Sequence, residues 1–277
     1  MLGQAIARRL KGQREVVSAH GKALFVLSTG RAGSLSCSRL LKLCPEVDAW
    51  CEPLDSDILY LHAIAHRCGH DEQIQAALKR GYQAARGSKV QSAWSRNLVY
   101  ADTSYDQTFL APQIAELFPN ARFLHLVRNP SDVIYSGLRR GWYEGHPNDP
   151  FRVKPTEGDP IFDQWGALSN FEKACWGWNR TNTWIADFID SRPEGTCATL
   201  NSEDLFKANP ESLKTLFSMV DQAVPRAEMI EMVLKSKYGQ QKKSTNDTEA
   251  EQLWAGRDRN RMDEILGNTA RKYGYEI

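Results

Sequence analysis

No two of the six cysteines (Cys37, Cys44, Cys51, Cys68, Cys175 and Cys197) are spaced as CxxC, so neither a zinc cluster nor a disulfide framework is indicated. Reduced thiols in a reducing compartment are the expectation, with Cys37 and Cys44 as small buried hydrophobes on one helix. No run approaches the ~18 continuous apolar residues of a membrane-spanning helix. The opening MLGQAIARRLKGQREVV has no apolar core of the signal-peptide kind and reads as a short helical extension over residues 1–20. Charge of one sign is also missing. Lys and Arg number 35 against 34 Asp and Glu, a net charge of +1, which excludes a global basic field for nucleic acid. There is no Gly-Lys-Ser/Thr, hence no Walker A loop. No internal repeat or low-complexity tract occurs. A soluble, cytoplasmic protein that binds neither nucleic acid nor membrane is expected, of unspecified oligomeric state.

What is present is an α/β pattern. Short apolar runs at Ala23–Ser28, Val47–Cys51, Leu98–Ala101, Arg122–Val127 and Thr196–Leu200 read as strands. Helical periodicity lies between them over Leu35–Leu43, Asp71–Arg86 and Phe109–Leu117. The alternation predicts one α/β domain over residues 1–277, with a P-loop-like, mostly parallel central sheet flanked by helices. Two polar stretches interrupt it. Residues 144–160 hold four prolines and two glycines and read as a long loop that can act as a lid or binding loop. Residues 238–261 read as a polar loop before the last helix.

The first strand runs into FVLSTGRAGS, a glycine-punctuated turn that opens a helix. A loop beyond a strand's carboxyl end presents free backbone N–H groups, and the helix dipole favours an anion. Gly30 and Gly33 allow close backbone approach around Arg31 and Ala32. Ser34 and Ser36, flanking Leu35, can cap the helix or bind phosphate oxygens. The same turn could equally serve as a plain helix start. Further on, LVRNPSDVIYS ends a strand at Arg128 and places Ser136 eight residues later on the next helix, a pair able to grip one phosphate. Alternatively Arg128 pairs with an acid and Ser136 is a packing residue.

Together STGRAGSLS and LVRNPSDVIYS resemble the two motifs of the sulfotransferases that use 3′-phosphoadenosine 5′-phosphosulfate (PAPS), and CATLNSEDLFKANPESLKTLF is similar to a third family segment. The resemblance implies a sulfotransferase with PAPS as donor and 3′-phosphoadenosine 5′-phosphate (PAP) as product. It places Arg31, Gly33, Ser34 and Ser36 at the 5′-phosphosulfate, and Arg128 and Ser136 at the 3′-phosphate. Lys242 and Lys243, or Arg257, would match the family's late basic loop. Leu35 stands where many members carry a second Thr, and Ser36 where the cytosolic branch has an adenine-stacking aromatic.

LKLCPEVDAWCEP resembles the Golgi-type and bacterial pattern whose second strand ends in a catalytic Glu, which points to Glu52 as general base. The segment VYADTSYD lacks the His of the cytosolic branch. Without the family pattern Glu52 reads as a solvated strand-end carboxylate, and Asp102, the reserve base, as a cap for Thr103–Ser104. His62 and His66, one helical turn apart, read as a solvated face rather than a metal pair, and no metal is expected. His125 reads as an interior residue. Trp142 and Tyr143 are candidates for the acceptor side. Asp55 and Asp57 beside Glu52 suggest a polar or cationic small-molecule acceptor such as an alkaloid. The rivals are a P-loop-type nucleotide-dependent kinase and a non-catalytic sulfonucleotide-binding module.

Overall fold

The computed structural model describes residues 21–52, 57–68, 71–236 and 257–276. Five strands form one sheet: β1 (Ala23–Leu27), β2 (Val47–Trp50), β3 (Val99–Asp102), β4 (Ala121–Val127) and β5 (Cys197–Asn201). The order is β2-β3-β1-β4-β5 and every pairing is parallel. Each predicted strand is therefore present, within a residue or two at each end. β1 is buried at every position, as expected for a central strand covered on both faces.

Alternate β1 residues feed two different cores. Phe25 and Leu27 pack with Tyr100, Phe123 and the helix α3 (Glu72–Ser95), whereas Leu24 and Val26 pack with Leu40 and Leu41 of α1 (Ser34–Leu41). α3 runs on to Ser95, past the predicted end at Arg86, because Val90, Ala93 and Trp94 continue its buried stripe. Asp71 starts it by accepting from the amides of Gln73 and Ile74. Cys44 is buried just beyond the end of α1 rather than on it.

β1 sits where the strand order reverses, with β3 on one side and β4 on the other, so the crevice beyond its carboxyl end is the switch point of the sheet. Four further elements surround that crevice. They are α2 (Asp57–Cys68), the 3-10 turn Tyr105–Leu110 that precedes α4 (Ala111–Leu117), α5 (Pro130–Leu138) and α6 (Asn170–Asp190). α7 (Ser202–Phe206) follows β5, then α8 (Pro210–Ser218) and α9 (Ala227–Lys235).

The last helix, α10, spans Arg257–Lys272, so residues 257–261 are helical and not part of a loop as expected. Its Met262, Leu266 and Ala270 are buried against Trp178 and Val133, and that packing selects helix over the local polarity. Residues 1–20, Asp55, Lys242 and Lys243 lie outside the described residues. Asp57 and Arg257 are described by backbone alone.

Candidate functional site

The loop between β1 and α1 takes three left-handed conformations, at Gly30 (φ 75°), Arg31 (φ 57°) and Gly33 (φ 93°). Glycine is required at position 33. A Cβ there would lie 2.3 Å from the ring of Phe206, which packs directly on the backbone. No side chain caps the start of α1, so its first amides face outward without an intrahelical partner. The loop's carbonyls are held from elsewhere. Arg128 donates to the Arg31 carbonyl at 3.0 Å, and the Ser202 hydroxyl donates to that of Ala32. N–H groups forward and carbonyls tied back make an anion cradle.

The two sequence motifs meet across this loop. Arg31 Nε donates to Ser136 Oγ at 3.1 Å, and Arg140, four residues further along the same face, donates to that oxygen at 2.8 Å. Arg128 reaches Asp132 at 2.8 Å and lies 5.8 Å from the centre of the Phe206 ring. Asn129 caps α5, and Pro130 takes its first turn, so the chain turns from β4 into the helix directly behind Arg128. Burial, with Arg128 nearby, lowers the Arg31 guanidinium from its ordinary value despite the opposing pull of Glu52. Burial and then Arg31 lower Arg140 in the same way. Arg31 and Arg140 share one serine while Arg128 holds the Arg31 carbonyl, and positive charge gathered in this way favours an anion.

Sequence reasoning missed Arg140 and Phe206. The (i, i+4) spacing from Ser136 could have found Arg140. No local signal brings Phe206, on α7, to Gly33.

Ser34 is buried, and its carbonyl accepts from Thr103 Oγ1 at 2.9 Å. Leu35 is 43% exposed, and Ser36 is half-buried beside it on the outer face of α1. Glu52 is exposed and left-handed (φ 49°), with its amide donating to Ser104 Oγ at 2.7 Å. Ser104 in turn donates to Asp102 Oδ1 at 2.5 Å, and Arg86 Nε lies 3.4 Å from Asp102 Oδ2. Asp102 is thus the buried cap of the Thr103–Ser104 turn and an anchor for the backbone at Glu52.

Beside the cradle lies an aromatic cleft. Ser28 and Thr29 of the loop form one end, and Tyr105 and Phe109 one wall. Trp142, Tyr143, Phe151 and Arg152 face them, with Trp178 behind. The 144–160 stretch is a loop, as expected, and it covers this cleft. It is held to α2 by Phe151 against Tyr60, with ring centres 4.4 Å apart, and by Arg67 donating to the Pro150 carbonyl at 2.6 Å. Arg152 pairs with Asp149 at 2.7 Å and lies 4.5 Å from the Trp142 ring centre.

His62 and His66 differ from expectation. His62 is 4% exposed and lines the cleft, and His66 packs on Phe109 with ring centres 4.6 Å apart. Burial, then each one's cationic or imidazole neighbours, depresses them to about 3 and about 4. Tyr105 and Phe109, distant in sequence and invisible in a helical-face argument, pack on them and shield them from water. His125 is interior as expected, 2.9 Å from Asn182.

A glycine loop ringed by guanidiniums thus lies at the switch point, with an apolar cleft beside it. The chain belongs to the sulfotransferase family: the model described as "Sulfotransferase family" matches residues 23–225. In fold it is similar to the sulfotransferase domain from the curacin biosynthetic pathway (TM-score 0.57, 16% identity, covering 93% of this chain and 99% of that one). It is likewise similar to the sulfotransferase domain from the Synechococcus PCC 7002 olefin synthase (TM-score 0.54, 16% identity, 94% and 98% covered). Sulfotransferase STF9 from Mycobacterium avium gives a TM-score of 0.55 at 12% identity, with 98% and 82% covered. No curated protein sequence matches the chain. Among the described residues no helix is long and apolar enough to cross a membrane.

Proposed function

We propose that this sulfotransferase takes its sulfuryl group from PAPS and releases PAP. The convergence of Arg31, Arg128 and Arg140 on Ser136 and the glycine loop carries this reading, because three mutually repelling cations are stabilised by a ligand with several negative charges. The residues fit the donor as follows. The segment Gly30, Arg31, Ala32, Gly33, Ser34, Leu35 and Ser36 supplies backbone N–H groups and hydroxyls for the 5′-phosphosulfate. Arg128 and Ser136 supply the 3′-phosphate grip, Arg140 holds Ser136 in place, and Phe206 adds a flat apolar surface beside them. Lys242 and Lys243 are proposed as a further contact from the later segment. The bound donor supplies an activated sulfuryl group on a good leaving group.

Arg31 holds positive charge where the leaving phosphate oxygen gains negative charge. Glu52, anchored through Ser104 and Asp102, receives the acceptor's proton. Trp142 and Tyr143 orient the acceptor across the cleft and, with the 144–160 loop, keep water from it. The expectation of a cationic acceptor rested on Asp55 and Asp57, whose side chains lie outside those described. The described cleft wall, without a carboxylate, supports an uncharged small molecule instead.

The test is calorimetric titration of PAP against ATP and 5′-AMP. Binding that depends on the 3′-phosphate and weakens in Arg128→Ala is expected. Indifference to the 3′-phosphate would overturn the donor assignment and favour a nucleotide-dependent kinase. PAP binding with no transfer to any acceptor would favour a non-catalytic module.

A further inference from the structure

One buried polar atom of the cleft has no partner. His62 Nδ1 is shielded from solvent and makes no hydrogen bond within the chain. No hydrogen bond among the described residues fixes the tautomer of the ring, and a hydroxyl, which both donates and accepts, pairs with Nδ1 in either form. The ring is fixed edge-on against Phe109, with centres 5.0 Å apart, and against Tyr105 at 6.3 Å. An unpaired polar atom in an aromatic wall is destabilising until something pairs with it.

The charges around it narrow the choice of donor. Among the described residues no Asp or Glu lines the cleft, and the charge of Arg152 is met by Asp149 at 2.7 Å. Burial would raise the Asp149 carboxyl, but Arg152 and the amides of Tyr143 and Gly145 hold it below the usual carboxylate range, so this pair stays closed. An ammonium or a carboxylate group would each enter with no free counter-charge.

We infer that the cleft is a subsite for an uncharged, flat ring whose hydroxyl hydrogen-bonds His62 Nδ1, making His62 a specificity-determining residue for the acceptor. The inference rests on the sulfotransferase reading for what is then done to the molecule, but not for its binding. Glu52 does not line the cleft, so the anchoring hydroxyl is separate from the atom that receives the sulfuryl group. The ring spans the two, from His62 at the inner end to Ser28 and Thr29 at the loop. The cleft as it stands holds about 50 Å³ of space, against the roughly 150 Å³ of a cavity that takes benzene. Entry of a ring therefore draws back the 142–153 segment that carries Trp142 and Phe151.

The experiment uses the full chain and four single-ring probes, namely 4-methylphenol, toluene, benzylammonium and benzoate, titrated by ligand-observed NMR with PAP present and absent. 4-Methylphenol is expected to bind about ten-fold tighter than toluene, the value of one buried hydrogen bond, and the two ions more weakly still. His62→Phe should erase the preference for 4-methylphenol over toluene with PAP affinity unchanged, and His62→Gln, which keeps an acceptor oxygen, should restore part of it. If His62→Phe does not fold, the imidazole ¹⁵N signal of Nδ1 in the unaltered protein decides, since a new hydrogen bond moves it and its absence leaves it still. Equal binding of 4-methylphenol and toluene, tighter binding of benzylammonium, or an unmoved Nδ1 signal overturns the inference. Loss of PAP binding alone would count against the donor assignment and leave the ring subsite standing.

Discussion

Two regions share the rim of one sheet, yet they are built on opposite electrostatic plans. The cradle at Gly30–Ser36 gathers cations without enough carboxylates to balance them. The cleft beside it encloses aromatic rings and the neutral His62 imidazole, and the one guanidinium that lines it among the described residues, Arg152, is already paired. Both begin from the same strand end, since Ser28 and Thr29 line the cleft and Arg31 the cradle. A transferase for a charged group needs this division. In the proposed reaction the charged donor would meet the guanidiniums, and the acceptor would sit where water and competing ions are excluded.

The division can be broken from either side. The largest effect is expected from Glu52→Ala, which sits between the regions. Turnover, measured as PAP released from PAPS with a working acceptor, should fall at least about 100-fold with PAP affinity kept. Retained turnover would remove Glu52 as the base.

Acid should damage the aromatic side selectively. His62, His66 and His125 are held neutral by burial, at about 3, 4 and 4, against about 6.5 when unfolded. Between those values the unfolded chain binds more protons, so stability falls as pH drops below 6.5. Asp106 opposes this. Burial, then Asp102, raises its carboxyl to about 7, so the folded state holds its proton and gains as pH drops toward 4. Three groups outweigh one, and urea unfolding should show a net loss of a few kcal/mol between pH 6.5 and 5. A flat profile would mean that the imidazoles are hydrated.

Arg128→Ala acts on the cationic side only. It should weaken PAP about ten- to hundred-fold and leave 5′-AMP nearly unchanged, the range for a lost charge-assisted contact. Equal loss for both nucleotides would place Arg128 away from the 3′-phosphate. Arg140→Ala should cost PAP binding only a few-fold, because Arg31 still reaches Ser136. An effect as large as that of Arg128→Ala would make Arg140 a direct phosphate ligand.

Much of the cradle was legible because its parts are local. Gly30, Arg31 and Gly33 sit in one turn, and Arg128 and Ser136 on one strand-helix junction. Their order along the chain matched a family pattern. The cleft was not legible in the same way. Trp142 and Tyr143 stood out beside the proline-rich stretch, but the helical spacing of His62 and His66 described a solvated face. Tyr105 and Phe109 of the 3-10 turn pack on them, and the 144–160 loop closes over the same helix. Likewise, the polarity of residues 257–261 argued for a loop until Met262 and Leu266 found Trp178.

By itself the sequence determined five strands, their alternation with helices and the glycine loop, because period, turn chemistry and backbone freedom act over a few residues. The tertiary structure alone decided which helices face the crevice and that Phe206 covers Gly33. It also decided that two arginines from separate segments share one serine, and that an imidazole loses its water. Those outcomes depend on desolvation and on contacts between residues up to about 170 positions apart, which no local pattern encodes.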